Sequence, residues 1–207
     1  PFGRRTPHRA ALLSGGWLMT EPARSVASLK LANGEAQRCD RELPEEVPVA
    51  LVYDGTTQAV MMASPTDLEA FALGFSLSEG LVGSRADIRQ LDIVHQHAGI
   101  ELRMWLAPGL GAKLAERRRH IVGPTGCGLC GVDSLAAAAP ELPQAPSGGE
   151  FEIGDIVSAL AALTPAQDLN HRTHAVHAAG YWTKAAGLVA IAEDVGRHNA
   201  LDKLIGK

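Results

Sequence analysis

A mixed α/β fold, α+β in its first half, is what this sequence predicts, and three observations carry the prediction. Two apolar, β-branched runs, 47–53 and 59–63, flank Asp54-Gly55, a dipeptide that suits a hairpin turn because both residues accept positive φ. Leu68, Phe71, Ala72 and Phe75 recur at helical spacing and form one apolar stripe. In the last third, strand-like and helix-like segments alternate, the pattern of an α/β sheet.

The elements follow in chain order. Residues 1–40 read as a flexible leader, in which Arg4, Arg5, Arg9 and Arg24 lie among scattered Pro, Gly and Ser without a sustained period. The apolar run at 10–13 is too short for a signal peptide. Pro7, His8 and Arg9 interrupt what a twin-arginine signal would need after Arg4-Arg5, and Met19 is a candidate start. Cys39 reads as an incidental surface thiol in this leader. Residues 41–120 make an N-terminal α+β part. After the hairpin, Ser64 is placed as a helix N-cap, Pro65 as the first helical residue and Asp67 in the first turn, with Gly80 ending the helix. Further strands are expected at 91–94 and 100–106. Arg117-Arg118-Arg119 reads as a solvated helix end, with phosphate contact as the alternative.

Residues 121–207 make the second, α/β part. A short strand at Ile121-Val122 leads into the loop 123–131, and an alanine-rich helix at 132–139 stops at Pro140. The Pro-, Gly- and Ser-rich stretch 140–149 is an exposed loop. Ile156, Val157, Leu160 and Leu163 form a second helical stripe. Strands at 175–181 and 188–193 are joined by a turn at 183–187. A polar loop, 194–199, then precedes a helix that starts at Ala200.

Composition bounds the function. The chain of 207 residues can bury a core as one domain or two small ones. Its net charge of −4 makes no case for nucleic acid or a membrane surface, and no apolar run is long enough to span a bilayer. Three cysteines are too few for a disulfide framework, and a CxxC in such a chain suggests a reducing compartment.

Chemistry concentrates at Gly126-Cys127-Gly128-Leu129-Cys130-Gly131, preceded by Pro124-Thr125. A structural zinc site would need four ligands; Cys39 is alone, and His171, His174, His177 and His198 stand in no ligand spacing, so no metal is expected. A zinc deaminase would need a His-x-Glu before the cysteines, and none is present. Two readings stay open on local chemistry: disulfide exchange at a strand-to-helix junction, and sulfur transfer through a persulfide. For either, flanking glycines supply mobility and backbone N–H groups, and a following helix N-terminus favours the thiolate. Arg197, His198 and Asn199 lie after a strand and before a helix, where α/β sheets bind ligands, and His177 could line the same pocket. The bland alternative makes Asn199 a helix cap and His198 and His177 structural.

The wider sequence resembles the formate dehydrogenase accessory sulfurtransferase family. The blocks that carry the resemblance run in order: Glu46 to Gly55, Val60 to Leu81, Cys127 to Gly131, and Glu193 to Leu204. The resemblance covers about Arg41 to the end and implies a concrete function. Members take sulfur from a cysteine desulfurase and pass it to the bis-molybdopterin guanine dinucleotide cofactor of a molybdenum- or tungsten-dependent formate dehydrogenase. The persulfide cysteine falls on Cys127, with Cys130 as the second motif cysteine. Thr125, Gly126, His177, Arg197, His198 and Asn199 are the residues expected at the cofactor, for which GDP is an analogue. The cofactor is cargo and is not held permanently. A cytoplasmic homodimer is implied, with a second half similar to the three-layer fold of cytidine deaminase. A non-catalytic chaperone that binds and inserts the cofactor is the alternative. Two departures stand out. A further α/β stretch and a basic, nucleotide-contacting segment are implied after the last block, and the sequence, ending at Lys207, is expected to lack them. Many members also carry two glycines where this chain has His174-Ala175.

Overall fold

The computed structural model describes residues 21–111, 144 and 148–207. Ile121-Val122, the cysteine loop, the alanine-rich helix and the triple arginine lie outside the described residues.

The leader is corrected from Ala23 on; its residues 1–20 lie outside those described. β1 (Ala23–Ala32) and β2 (Glu35–Pro44) form an antiparallel hairpin that pairs from Ala23↔Pro44 to Ala32↔Glu35. Its turn is Asn33-Gly34, both at positive φ (52° and 83°), a geometry that splays least against the strand twist. Most of its side chains, Cys39 included, are exposed, so hydrophobic alternation is weak and burial could not be read from composition. An Arg172 fork on Glu42, at 2.6 and 3.0 Å, ties it to the second half of the chain.

The main sheet is built as expected. β3 (Val47–Tyr53) and β4 (Thr56–Ala63) turn at Asp54-Gly55, where φ is 47° and 78°. Asp54 also accepts a hydrogen bond from the Leu106 amide at 3.0 Å, which pins the turn to the neighbouring strand. β5 (Ile88–Gln96) and β6 (Gly99–Leu106) complete the order β4-β3-β6-β5, with β6 parallel to β3 and the other pairs antiparallel. Alternate residues of a strand face one way. Val47, Val49, Leu51 and Tyr53 therefore join Ile100, Leu102, Met104 and Leu106 in one core. The helix α1 (Leu68–Ser78) covers that face with Phe71, Ala72 and Phe75. Tyr53 reaches Ser76 Oγ at 2.7 Å, and burial pushes its phenol well above the ordinary range.

α1 starts later than expected. Its N-cap is Asp67, in the left-handed conformation, and Ser64 caps nothing. Ser64 is fully buried and its polar atoms serve a different structure, described below.

The second half places α2 (Ile153–Leu163) and the short α3 (Asp168–Thr173) before an antiparallel pair, β7 (His177–Thr183) and β8 (Gly187–Asp194). The layering implied for residues 121–207 spans residues outside those described. The stripe Ile156, Val157 and Leu160 on α2 is exposed. The last helix, α4 (Arg197–Gly206), begins three residues before the expected Ala200, capped by the Gly196 backbone. α4 crosses α1 so closely that glycine is required on both. A Cβ on Gly74 would overlap the Asp202 carbonyl, and one on Gly206 would overlap the Ala70 carbonyl. Gly74→Ala should therefore push the helices apart and cost about 1–3 kcal/mol in chemical denaturation, the usual range for overpacking. An unchanged midpoint would show that the helices do not meet here.

α3 ends on His174, at φ 52°. A left-handed β-carbon costs roughly 1–2 kcal/mol, more than the roughly 0.5–1 kcal/mol of chain entropy that glycine forfeits. This gives a backbone reason for the glycine implied at 174. His174→Gly should raise the thermal midpoint slightly; a clear drop would mean that the imidazole makes a compensating contact.

Candidate functional site

β8 ends in Asp194 and α4 begins at Arg197, so two residues, Val195 and Gly196, must turn the chain from strand to helix. Asp194 makes that turn. Its Oδ1 accepts from the Gly196 amide at 2.7 Å and from Asn199 Nδ2 at 3.0 Å. Its Oδ2 accepts from the Ser64 amide at 3.0 Å and pairs with Lys203 Nζ at 2.6 Å. Both side chains of that ion pair are fully buried.

Lys203 reaches this position because it lies one turn beyond Asn199 on the same face of α4, the buried face that also carries Ala200. Besides Asp194, its ammonium donates to the Ser64 carbonyl at 2.9 Å and Thr66 Oγ1 at 3.3 Å, and lies 5.9 Å from the Phe71 ring centroid. Three N–H donors thus meet three oxygen acceptors, the condition under which a buried ammonium is tolerated. Burial pulls the Lys203 amine below its ordinary range, and the Asp194 carboxylate opposes the shift. Ser64 completes the set: its hydroxyl accepts from the Val195 amide at 3.1 Å. This tertiary demand on the amide, carbonyl and hydroxyl of Ser64 is why it does not cap α1.

Of the residues expected at a site, Asn199 faces inward. It is 3% exposed, and its amide nitrogen donates to the Met62 carbonyl at 2.8 Å as well as to Asp194. The residue therefore serves the strand-to-helix turn, close to the bland alternative, although Gly196 holds the cap position. Arg197 and His198 are exposed in the first turn of α4, and His177 is exposed opposite Asp194 in the β7–β8 register. The fold therefore brings His177, Arg197 and His198 to one end of a strand pair at a helix start. Asp202, one turn after His198, is half-buried and accepts from Ser78 Oγ at 2.7 Å. Burial pushes its carboxyl up, and the Glu79 charge adds to this, while the Ser78 hydrogen bond and the His198 charge oppose it. Thr125, Gly126, Cys127 and Cys130 lie outside the described residues. Among the described residues no three of His, Cys, Asp and Glu gather as metal ligands, and no helix is long and apolar enough to cross a membrane.

Sequence reading missed Ser64, Asp194 and Lys203. The signal available was two opposite charges, Asp194 and Lys203, inside the one block that carries the resemblance at the end of the chain. Hydrophobic periodicity cannot announce a buried charge pair.

Comparison with known proteins adds the following. The FdhD/NarQ family profile matches residues 44–207. A sulfur carrier protein FdhD of Agrobacterium fabrum is 48% identical over 184 residues, covering 88% of this chain and 68% of that protein. A sulfur carrier protein FdhD of Brucella abortus is 52% identical over 171 residues, covering 82% of this chain and 64% of that protein. The chain thus spans roughly two thirds of these relatives, between 64% and 68%. A solved structure from Desulfotalea psychrophila, described as a candidate formate dehydrogenase accessory protein, superposes with a TM-score of 0.64 at 24% identity over 90% of this chain and 68% of that one. That likeness speaks to the fold.

Proposed function

The chain belongs to the FdhD/NarQ family, and on that premise we propose that it carries sulfur on Cys127 for the maturation of a formate dehydrogenase. The observation that supports this most is the family match over residues 44–207, which contains the Cys127-to-Cys130 loop and the Glu193-to-Leu204 block together. The names of the relatives, sulfur carrier proteins, agree with it.

The chemistry balances in two steps. The Cys127 thiolate attacks the outer sulfur of a persulfide on a cysteine desulfurase. A new S–S bond forms on Cys127, and the donor cysteine leaves as a thiolate. Cys130 then attacks the inner sulfur of Cys127, a disulfide closes, and the outer sulfur departs as hydrosulfide toward the cofactor. A cellular dithiol reductant restores the pair. The substrate is the bis-molybdopterin guanine dinucleotide cofactor, with molybdenum or tungsten, destined for a formate dehydrogenase. His177, Arg197 and His198 are the groups suited to its phosphates, since a guanidinium fork matches phosphate oxygens and a helix start offers unpaired amides. Action as a homodimer in the cytoplasm is part of the proposal.

Incubation of the chain with a cysteine desulfurase and cysteine, followed by mass spectrometry of the peptide containing Cys127, tests this. One added sulfur, removable by dithiothreitol, is the expected result. GDP binding without any sulfur adduct would instead support a chaperone that only holds the cofactor.

A further inference from the structure

We infer that the buried Asp194–Lys203 pair is a positioning device: it locks residues 194–199 to the first half of the chain and so fixes the directions in which Arg197 and His198 project. The inference rests on the reading above only for the identity of the ligand that Arg197 and His198 meet.

Three observations lead here. The pair is saturated and joins distant parts of the chain. On one side its partners are local, Gly196 and Asn199 around the turn; on the other they are Ser64 and Thr66, some 130 residues away in sequence. Asn199 adds a third tie across the same gap, to Met62. Next, a buried ion pair is a poor way to gain stability, because desolvating two charges consumes what their attraction returns, and apolar replacements of similar shape are often neutral or better. Its clearest use is to specify one arrangement among several, since charge and hydrogen-bond geometry tolerate less slippage than apolar contact. Finally, the geometry divides α4 by face. Asn199, Ala200 and Lys203 are buried, whereas Arg197 and His198, in the same first turn, are exposed. Among the described residues Arg197 has no ion pair, so its direction is set by the backbone that the lock holds.

Lys203, fully buried against Asp194, Ser64 and Thr66, is therefore assigned a positioning role that acts through the turn. The expected signature is a loss of order confined to the turn and of ligand affinity, beyond what an equal loss of stability produces elsewhere. Lys203→Met is compared with Leu51→Ala, a substitution in the main-sheet core that lowers stability without touching α4. Both are assayed well below their thermal midpoints. Amide hydrogen exchange of the peptide spanning 195–200 and GDP binding by calorimetry are read on the full chain. Exchange at 195–200 should quicken at least tenfold, and GDP affinity should fall at least tenfold, in Lys203→Met, with both close to wild type in Leu51→Ala. Unchanged exchange in Lys203→Met, or equal loss in the two variants, overturns the inference. So does unchanged GDP affinity in Lys203→Met beside a wild type that binds. Quickened exchange in a set where the wild type itself binds no GDP upholds the lock and counts against the cofactor reading instead. If Lys203→Met does not fold, the double variant Asp194→Asn with Lys203→Met removes both charges and carries the same comparison. Failure of that variant to fold as well would mean the pair is needed for the fold itself, and the positioning role would fall.

Discussion

Cys127→Ala is expected to abolish sulfur loading while leaving the protein folded. The argument is chemical. Persulfide transfer needs a thiolate to attack sulfur, and neither a methyl group nor a neighbouring hydroxyl substitutes for it at neutral pH. Cys130 stands three residues away, so it is the one thiol in the loop that could take over. Its expected part, however, is resolution: it attacks the loaded cysteine and frees the sulfur. Cys130→Ala should accordingly still show the adduct on Cys127 but deliver sulfur poorly, with the adduct persisting longer. The substitution removes one sulfur atom, and unchanged circular dichroism is the expected check that the chain stays folded. The decisive measurement is activation of formate dehydrogenase in a host lacking its own carrier. Full enzyme activity supported by Cys127→Ala would remove the carrier function from this residue and from the account above.

Lys203→Ala is expected to be the most damaging single substitution for stability among the ion pairs described. Truncating one member leaves Asp194 as an uncompensated charge in the protein interior, a loss of roughly 3–5 kcal/mol. It also leaves the Ser64 carbonyl and Thr66 hydroxyl without the ammonium donor. The contrast with Arg172→Ala is informative. Arg172 and Glu42 make a two-pronged fork of comparable length, at 2.6 and 3.0 Å, but both are substantially exposed. Water screens such a pair, and its loss should cost far less than loss of the buried pair. Urea denaturation of the two variants side by side measures the difference. Equal, small losses would show that water reaches Lys203 in solution, and the buried pair would lose its special standing.

How much was legible beforehand can be judged element by element. The β3–β4 hairpin was readable because Asp54-Gly55 is a local solution to a local problem, and its flanking strands alternate into one core. α1 was readable from Phe71, Ala72 and Phe75, but its start was not. Ser64-Pro65 has the local chemistry of a helix beginning, yet Ser64 was taken by partners 130 and more residues away. β1 and β2 were missed although Asn33-Gly34 is as good a turn signal as Asp54-Gly55. Two solvent-facing strands bury too little to show a period, and a turn dipeptide without flanking alternation does not mark a hairpin. The sequence grouped His177, Arg197 and His198, and in the fold all three flank one strand-to-helix junction. It could not say that Asn199 turns inward while Arg197 turns out, because that depends on which face of α4 meets α1.

The strands of the main sheet, the apolar stripe of α1 and the one glycine-flanked cysteine pair were determined by the sequence alone, through turn chemistry, periodicity and residue type that need only near neighbours. The burial of Asp194 with Lys203 and the close crossing of α1 and α4 over Gly74 and Gly206 were decided only by tertiary structure. So was the face on which Arg197 and His198 emerge. The physical reason is the same in each case. A charge or a missing side chain becomes favourable only when a partner distant in sequence arrives to complete it, and no local pattern records that partner.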